Sequence, residues 1–365
     1  MRLNAEETAR AARSLTEGIG RLASRPVRIM EVCGTHTVAI FRNGIRQLLP
    51  ESVELVSGPG CPVCVTPNEY LDTAIAYSSC PDIIITTFGD MLKVPGSSST
   101  LLARKAQGAA IRVVYSPLES LDIARENPDK KVIFLAVGFE TTAPTAAATI
   151  LQAEQLGIDN FFVLSAHKLV PPALRAILTA EDINVDGFLL PGHTTAISGL
   201  APYRFLAEEY RVPAVVTGFE ALDILQGIYL LLEQIAAGKA ALENQYSRVV
   251  KPEGNPAAVA ILDKIYQPAA AAWRGFGVID GSGLELTLAY KRFSAQDMLP
   301  LSGVITREPA GCRCGEVLRG RIVPAECPQF GLNCTPEKPV GACMVSVEGA
   351  CAAWYKYGQG RWSYV

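Results

Sequence analysis

Short, continuously apolar segments recur along the first two thirds of the chain, each bounded by glycine, proline or polar residues. Eight of them predict β-strands: residues 27–30, 53–56, 83–85, 111–114, 132–137, 161–164, 187–190 and 214–216. The intervals between them are long enough for helices. Continuous apolar strands separated by helices are typical of parallel sheets covered on both faces. The pattern therefore predicts an α/β fold.

The eight predicted strands form two successive groups of four. We expect two Rossmann-like parallel-sheet α/β units that face each other across a cleft, followed by a third domain. A hydrophilic stretch with proline and glycine at 251–256 marks the last boundary. The predicted domains are an N-terminal amphipathic helix at 1–25, a first α/β domain at 26–127, a second at 128–250 and a cysteine-rich domain at 251–365.

The remaining pattern predicts three more elements. An apolar helical periodicity at 219–236 closes the second unit. A helix at 257–266 and an alternating strand at 284–290 open the last domain.

Polar side chains gather where the predicted strands end. If two sheets meet by their carboxyl edges, these groups line one cleft. The three histidines of the chain, His36, His167 and His193, all belong to this set. Asp90, Glu140 and His193 are the predicted cleft residues, with a helix-capping role as the alternative for Glu140.

The composition argues against some classes of function and favours metal or redox chemistry. The chain has 365 residues, 49% hydrophobic and 19% charged, with a net charge of −3, which gives no reason to expect nucleic acid or an anionic membrane. No apolar run approaches the roughly 20 residues of a membrane span. The charged N-terminus does not resemble a signal peptide, so we expect the cytoplasm. Ten cysteines in that compartment favour metal binding or redox chemistry over structural disulfides.

The first cysteine group follows two neighbouring strands. Cys33 and His36 follow the first strand, and Cys61 and Cys64 follow the second, so three thiols and an imidazole are expected to converge on one ion. The CxxC pattern indicates either a redox-active dithiol or two metal ligands. Flanking glycine and proline predict a rigid loop here, with a helix beginning near residue 67. Thiolate ligands are compatible with Fe(II), Zn(II) and Cu(I). His36 either ligates the metal or lies beyond its ligands and acts on a bound diatomic molecule or a proton.

The second group is crowded near the C-terminus, and it comprises Cys312, Cys314, Cys327, Cys334, Cys343 and Cys351. It lacks the paired CxxC knuckles of zinc sites, which favours an iron–sulfur cluster over structural zinc or plain disulfides. A cluster takes four of the six thiolates, and the two remaining cysteines can form a redox disulfide next to it. Cys80 lies outside any motif and is expected to pack in the core.

Several motifs, in a fixed order, resemble one known family. They are Met30-Glu-Val-Cys-Gly-Thr-His36, Ser57-Gly-Pro-Gly-Cys-Pro-Val-Cys-Val-Thr-Pro67, Thr87-Phe-Gly-Asp-Met91, Gly138-Phe-Glu-Thr-Thr142, Pro191-Gly-His193, Pro339-Val-Gly-Ala-Cys-Met344 and Glu348-Gly-Ala-Cys-Ala-Ala353. The chain resembles the hydrogenase formation protein HypD family from about residue 30 to residue 357. One departure is that Thr194 and Thr195 follow His193, where the family pattern has Val-Ser.

The resemblance implies a function in metal-centre assembly. HypD proteins help to build the Fe(CN)2CO group of [NiFe] hydrogenases, as a scaffold in complex with the small chaperone HypC. The partner HypE supplies cyanide, and the hydrogenase large subunit is the indirect recipient. By this likeness Cys33 is the iron-ligating, partner-facing residue, and Cys61 with Cys64 is the CxxC pair. The implied role is an assembly scaffold with redox activity rather than a conventional turnover enzyme.

The resemblance also implies cofactors. The last domain is similar to the [4Fe–4S] environment of ferredoxin–thioredoxin reductase. This implies Cys312, Cys327, Cys334 and Cys351 as cluster ligands and Cys314 with Cys343 as the redox pair. We hypothesise that electrons pass from the cluster through Cys314 and Cys343 to Cys61 and Cys64, while Cys33 holds Fe(II) carrying CN and CO.

Three other functions compete with this one. The first is an iron–sulfur-dependent protein disulfide reductase that binds no diatomic iron. The second is a zinc-bound interaction protein. A nucleotide-binding enzyme is disfavoured, because the sequence has neither a G-x-x-x-x-G-K-[ST] loop nor a G-x-G-x-x-G after a strand.

Overall fold

The computed structural model describes residues 4–181 and 184–358. The outermost parts of the first and last predicted domains, residues 1–3 and 359–365, lie outside the described residues. The strands are β1 Val27–Glu31, β2 Val53–Ser57, β3 Ile83–Thr87, β4 Ile111–Val113, β5 Lys131–Gly138, β6 Phe161–His167, β7 Gly187–Pro191, β8 Ala214–Thr217, β9 Leu242–Asn244, β10 Tyr266–Trp273 and β11 Gly277–Leu286.

Helices separate nearly all of these strands. They are α1 Ala5–Leu22, α2 Gly34–Arg42, α3 Ile45–Leu48, α4 Pro62–Val65, α5 Asn68–Tyr77, α6 Leu101–Ala106, α7 Glu119–Glu126, α8 Ala143–Leu156, α9 Val170–Leu178, α10 Gly192–Ser198, α11 Phe205–Glu208, α12 Ala221–Ala236, α13 Pro256–Ile265, α14 Ala295–Met298, α15 Cys314–Leu318, α16 Ala342–Val345 and α17 Ala350–Tyr357. Short 3₁₀ turns occur at Gly89–Lys93, Ala201–Tyr203, Leu288–Phe293 and Pro324–Glu326.

Two parallel sheets carry the fold. Sheet A has the order β2-β1-β7-β8-β9, and sheet B has the order β4-β3-β5-β6. Strand β5 is buried along almost its whole length, which matches its uninterrupted apolar sequence. All eight predicted strands, and the α/β class with parallel sheets, are confirmed.

The predicted succession of two four-strand units is wrong. Strands β1 and β2 pair with each other, but β1 also pairs with β7, so sheet A combines the first and last parts of the α/β region. Sheet B is built from the four consecutive strands between them. An apolar segment indicates that a strand is buried, but it does not indicate which strand it pairs with. After β2 the chain leaves sheet A and forms the four strands of sheet B before it returns.

Local sequence explains where the helices begin. Asn4 accepts a hydrogen bond from the Glu7 amide, and the Glu7 carboxylate accepts one from the Asn4 amide, which forms a capping box for α1. Helix α8 has proline in its first turn and ends at Leu156, where it is capped by Gly157, whose φ of +64° suits glycine. Helix α1 packs on α12 against sheet A, so the predicted N-terminal helix is confirmed from Ala5 onward.

Two predictions on local structure are corrected. The stretch that begins at Cys61 is not a loop, because Pro62–Val65 forms one helical turn with Pro62 at its start, where the missing amide hydrogen costs nothing. The alternating strand at 284–290 ends at Leu286, and residues Leu288–Phe293 form a 3₁₀ turn. Strand β10, which is rich in alanine, had no sequence signal.

The C-terminal region packs on both sheets. Strands β10 and β11 form an antiparallel hairpin, and β11 contacts β6 of sheet B. Helix α17 packs on α2, with the Phe41 and Trp354 rings 5.2 Å apart in an edge contact. No helix within residues 4–181 and 184–358 is long and apolar enough to cross a membrane.

Candidate functional site

A cleft of about 290 Å³ lies where the carboxyl ends of both sheets meet. Residues that follow β1, β2, β3, β5, β6 and β7 all line it, together with one residue from the C-terminal region. The chemically relevant lining residues are Cys33, Thr35, Asp90, Thr142, His193 and Glu348. The predicted cleft between two sheets is thus confirmed, although the strands are distributed differently between them.

Cys33 is the thiol that faces this cleft. It follows β1 in an extended conformation, φ −153°, and is the N-cap of α2. It remains partly exposed, whereas Val32 beside it is buried. Gly60 lies so close to its backbone that a Cβ on Gly60 would overlap the Cys33 main chain. The amide of Gly34 donates to the Gly60 carbonyl at 3.1 Å, so the two strand-end loops hold each other in place.

Glu348 brings a carboxylate to the same place. Its Oε1 accepts a hydrogen bond from Thr35 Oγ1 at 2.7 Å. Burial and the negative charge of Glu348 raise the pKa of Cys33 to about 12, so this thiol is protonated at neutral pH until a metal displaces the proton. Glu348 begins one of the family motifs, but no local pattern predicts its role, because its position beside Cys33 depends on a contact with Thr35 across 313 residues.

Two imidazoles are stacked on one phenyl ring. The ring centroid of Phe219 lies 4.7 Å from that of His36 and 4.0 Å from that of His193, both in stacked geometry. Phe219 thus contacts both histidines: His193 lines the cleft, and His36 is buried and does not belong to its lining.

One tautomer of His36 suits both neighbours of its Nε2, which lies 3.0 Å from the Gly218 carbonyl oxygen and 2.9 Å from the Thr217 hydroxyl. The carbonyl oxygen can only accept, whereas the hydroxyl can donate or accept, so a hydrogen on Nε2 satisfies both contacts. Burial lowers the pKa of His36 to about 4, so the ring is neutral. Its Nδ1 is buried and has no hydrogen-bond partner within the described residues. His36 thus stands behind the cleft rather than on its lining.

Cys61 and Cys64 are joined by a disulfide, with Cα atoms 5.2 Å apart. Cys61 is the N-cap of α4, and its Sγ accepts the Cys64 amide at 3.2 Å. Both residues are buried, while the adjoining Gly60, Pro62 and Val63 line the cleft. In this oxidised state the pair has no thiolate to offer a metal, and Cys33 is the free thiol of the three predicted to converge.

Arg274 holds the end of the CxxC turn. This residue is almost fully buried, and its guanidinium donates to the carbonyl oxygens of Cys64 at 3.1 Å and Thr66 at 2.8 Å and to Asn68 Oδ1 at 2.7 Å. These carbonyls end a helical turn and have no partner within it. A cation from the β10–β11 hairpin thus fixes α4, a link that no sequence motif announced.

The six C-terminal cysteines line one small enclosed cavity of about 10 Å³. Hydrogen-bonding contact with the Cys314 and Cys351 thiols raises the pKa of Cys343, and Cys327 and Cys334 lie near enough to Cys351 to influence it electrostatically. Gly341 allows this approach, because a Cβ there would lie 2.6 Å from Cys312 Sγ. Across residues 4–181 and 184–358, no three Cys, His, Asp or Glu side chains are already arranged to hold an ion.

The predicted cleft residues divide into two groups. Asp90 and His193 line the cleft. Glu140 lies beneath it, buried, and its Oε1 accepts the Val170 amide at 2.9 Å. Burial raises the pKa of Glu140 to about 7. His167 is not in the cleft, because it lines a separate cavity.

The CxxC helix contacts two helices that carry C-terminal cysteines. Helix α4, which carries the disulfide, packs against α15, which begins at Cys314, and against α16, which contains Cys343. Cys80 is a free, partly buried cysteine packed against the same core.

Comparison with known proteins identifies relatives across nearly the whole chain. A family model, HypD, described as the hydrogenase formation hypA family, matches residues 10–358. The hydrogenase maturation factor HypD of Rhodobacter capsulatus is 46% identical over 95% of this chain and 93% of its own length. That of Escherichia coli K12 is 48% identical over 92% and 91%. The hydrogenase expression/formation protein HupD of Azotobacter chroococcum is 45% identical over 93% and 91%.

Proposed function

The chain belongs to the HypD family and acts in hydrogenase maturation, and from this premise we propose that it is the redox scaffold on which the Fe(CN)2CO group of [NiFe] hydrogenases is assembled. In this role iron is cargo that is received and passed on. The observation that carries the proposal is Cys33, the one free thiol among the described residues that line the cleft between the sheets.

The cleft suits a ferrous ion with diatomic ligands. The Cys33 thiol loses its proton on metal binding, and thiolate donation strengthens back-bonding to cyanide and carbon monoxide. The Glu348 carboxylate, which both raises the Cys33 pKa and influences His193, is placed to receive that proton. Apolar cleft residues such as Val32, Met91 and Val137 limit the access of water.

Thiol–disulfide exchange connects the site to the C-terminal cysteines. When the Cys314 and Cys343 dithiol reduces the Cys61–Cys64 disulfide, one S–S bond breaks and another forms. Two electrons and two protons pass to Cys61 and Cys64, and Cys314 and Cys343 become the disulfide. The packing of α4 against α15 and α16 supports this exchange.

The donor set of the C-terminal cavity fits an iron–sulfur cluster. Six thiols converge without carboxylate or imidazole lining, and four thiolates are what a [4Fe–4S] cluster takes. We assign Cys312, Cys327, Cys334 and Cys351 as its ligands and Cys314 with Cys343 as the adjacent redox pair. The Cys314 thiol is in hydrogen-bonding contact with both Cys312 and Cys343, so the pair and the ligands adjoin. When bound, such a cluster supplies single electrons to a neighbouring disulfide.

The partners follow from the same proposal. A HypC-type chaperone shares the iron at Cys33, a HypE-type protein donates cyanide, and the hydrogenase large subunit receives the product. The compartment expected for these free thiols is the cytoplasm.

One observation favours a second candidate function. A buried disulfide beside a free dithiol is also the arrangement that a protein disulfide reductase needs, with no diatomic iron involved. Steady turnover of a generic disulfide substrate would support this alternative.

Infrared spectroscopy tests the scaffold directly. The protein is purified anaerobically with its HypC-type partner, beside Cys33→Ala and a Cys80→Ala control that removes a thiol outside the cleft. We expect cyanide and carbonyl stretching bands in the native protein and the control, and none in Cys33→Ala. Absence of the bands from all three, with the colour of a cluster retained, would favour the reductase.

The exchange pathway has its own test. We expect Cys314→Ser to keep the visible absorption of the cluster while losing assembly of the iron group, because one exchange partner is gone. Assembly at the native level in this variant would show that electrons reach Cys61 and Cys64 by another route.

A further inference from the structure

A second cavity, of about 260 Å³, shares no lining residue with the cleft. It is bounded by the end of β6, by the β10–β11 hairpin and by α5. Its lining includes Glu69, Thr73, Ser165, Lys168 and Glu285. Pockets for drug-sized ligands are roughly 300–1,000 Å³, so this cavity fits something smaller.

Lys168 is an incompletely paired cation in this cavity. It is 4% exposed, and its Nζ donates to the Ala272 carbonyl oxygen at 2.8 Å. Among residues 4–181 and 184–358, no carboxylate lies within 4.0 Å of this ammonium. An ammonium group has three donors, and a buried charge is costly unless it is paired. The Lys168 ammonium group therefore has N–H donors available to bind an anionic group.

A purely structural role does not account for this side chain. A neutral donor would hold the Ala272 carbonyl equally well without the cost of burying charge. Burial lowers the pKa of Lys168 to about 8, which still leaves the amine mostly protonated at pH 7. The Trp273 ring, with its centroid 5.9 Å from Nζ, adds a weak cation–π contact that does not neutralise the charge.

Most polar groups on the other walls of the cavity are left as acceptors, and the Gln296 carboxamide offers both a donor and an acceptor. The Ser165 hydroxyl already donates to the Leu284 carbonyl at 2.7 Å, and the Thr73 hydroxyl donates to the Glu69 carbonyl at 2.7 Å. What both hydroxyls have left is the capacity to accept. The carboxylates of Glu69 and Glu285, both exposed residues, also line the cavity. A ligand that fits here needs N–H donors as well as a negative charge.

We propose that this cavity binds a small zwitterion, a carboxylate that also carries N–H donors, as in α-amino acids. The ligand carboxylate pairs with Lys168 Nζ, and its ammonium group faces the acceptors of Ser165, Thr73 and the two glutamates. Ligands with a second negative charge are excluded by repulsion from Glu69 and Glu285. This site is independent of the cleft and of the iron cargo.

Acetylation of Lys168 provides the test on the full-length native protein. The protein is treated with a water-soluble acetylating ester at pH 8, alone and with glycine, L-alanine or L-glutamine. Acetate and methylammonium serve as probes of each half of the zwitterion. Peptide mass spectrometry measures modification at Lys168 and at the exposed Lys105 on α6. We expect at least one amino acid to slow acetylation of Lys168 about tenfold or more, with no change at Lys105.

Calorimetry on variants gives the matched measurement. The protecting amino acid should bind at least about tenfold more weakly to Lys168→Met, and equally well to Lys105→Met, which loses the same charge from the surface. Protection by none of the amino acids, equal protection by acetate or methylammonium alone, or unchanged binding to Lys168→Met would overturn the proposal. If Lys168→Met does not fold, the protection experiment on the native chain decides alone.

Discussion

Buried ionisable residues lie behind the cleft, and burial shifts the pKa of each in the direction that favours its uncharged form. Glu140 lies beneath the lining with one oxygen bonded to the Val170 amide and the other, Oε2, without a partner among the described residues. His36 is neutral behind Phe219. At this scale, burial disfavours the charged form of the groups behind the lining, whereas the Glu348 carboxylate lies at the cleft itself.

Replacement of Glu140 by glutamine tests whether the native structure favours the protonated form of this carboxyl group. The native state raises the pKa of Glu140 from 4.5 to about 7, so between these values it binds more protons than the unfolded state. The stability that this group contributes is therefore full below about pH 4.5 and is lost as the pH rises through 7. This change in the pKa corresponds to roughly 3 kcal/mol of stability. We expect Glu140→Gln to be more stable than the native chain by up to that amount at pH 8, and nearly equal at pH 4.5.

Urea unfolding at the two pH values measures this difference. Glutamine keeps an acceptor for the Val170 amide, so the hydrogen bond itself is retained. Glu17→Gln, on the exposed side of α1, is the control and should change little at either pH. A stability difference that does not vary with pH would mean that Glu140 is not buried as a neutral acid.

At the scale of elements, the CxxC turn depends on the hairpin that follows it by two hundred residues. Helix α4 is a single turn, which is too short to be stable alone. Arg274 supplies donors to the carbonyls at its end, and Gly275, with φ +83°, packs directly on Gly315 beside Cys314. One hairpin end thus contacts both the Cys61–Cys64 turn and the backbone next to Cys314.

Arg274→Met should weaken this junction. The substitution leaves the carbonyls of Cys64 and Thr66 without donors, and we expect a loss of about 3 kcal/mol in the free energy of unfolding. We also expect faster reduction of the Cys61–Cys64 disulfide by dithiothreitol, measured by thiol alkylation, because α4 is less firmly held. Arg292→Met is the control, since Arg292 is about half-exposed and its ion pair with Glu154 should contribute no more than about 1 kcal/mol. Equal effects of the two substitutions would contradict the role given to Arg274.

At the scale of the whole molecule, the two sheets are interdependent. Sheet A needs β1 and β2 from the start of the chain beside β7 from the middle, and sheet B needs β3 beside β5. A cut at residues 127 and 128 therefore separates strands that pair in both sheets. The cleft has walls from both halves.

Separate fragments should therefore fail to fold. We expect residues 1–127 and 128–365, expressed alone, to show no cooperative transition in urea, because each exposes unpaired buried strands. An intact chain with a protease site inserted at the exposed turn near Pro128, cut after folding, should remain associated and cooperative. A cooperative transition in the isolated 1–127 fragment would restore the predicted succession of two independent units.

Much of the fold could be predicted from the local pattern of apolar and polar residues. Parallel strands buried on both faces must be apolar throughout, so all eight strands of the predicted units could be found. Strands β9 and β10 escaped, because β9 is three residues long and β10 is rich in alanine. The cleft could be located because parallel sheets place the loops after their strands along one edge.

The sequence by itself determined the strands, the parallel α/β class, the polar strand ends and the cysteine motifs, since each depends on residues close together in the chain. The tertiary structure decided which strands share a sheet, that Glu348 lies beside Cys33, that Phe219 stacks on both His36 and His193, and that Arg274 supports the CxxC turn. These are contacts between residues far apart in sequence. They are selected by the packing of the whole chain, and no local pattern records them.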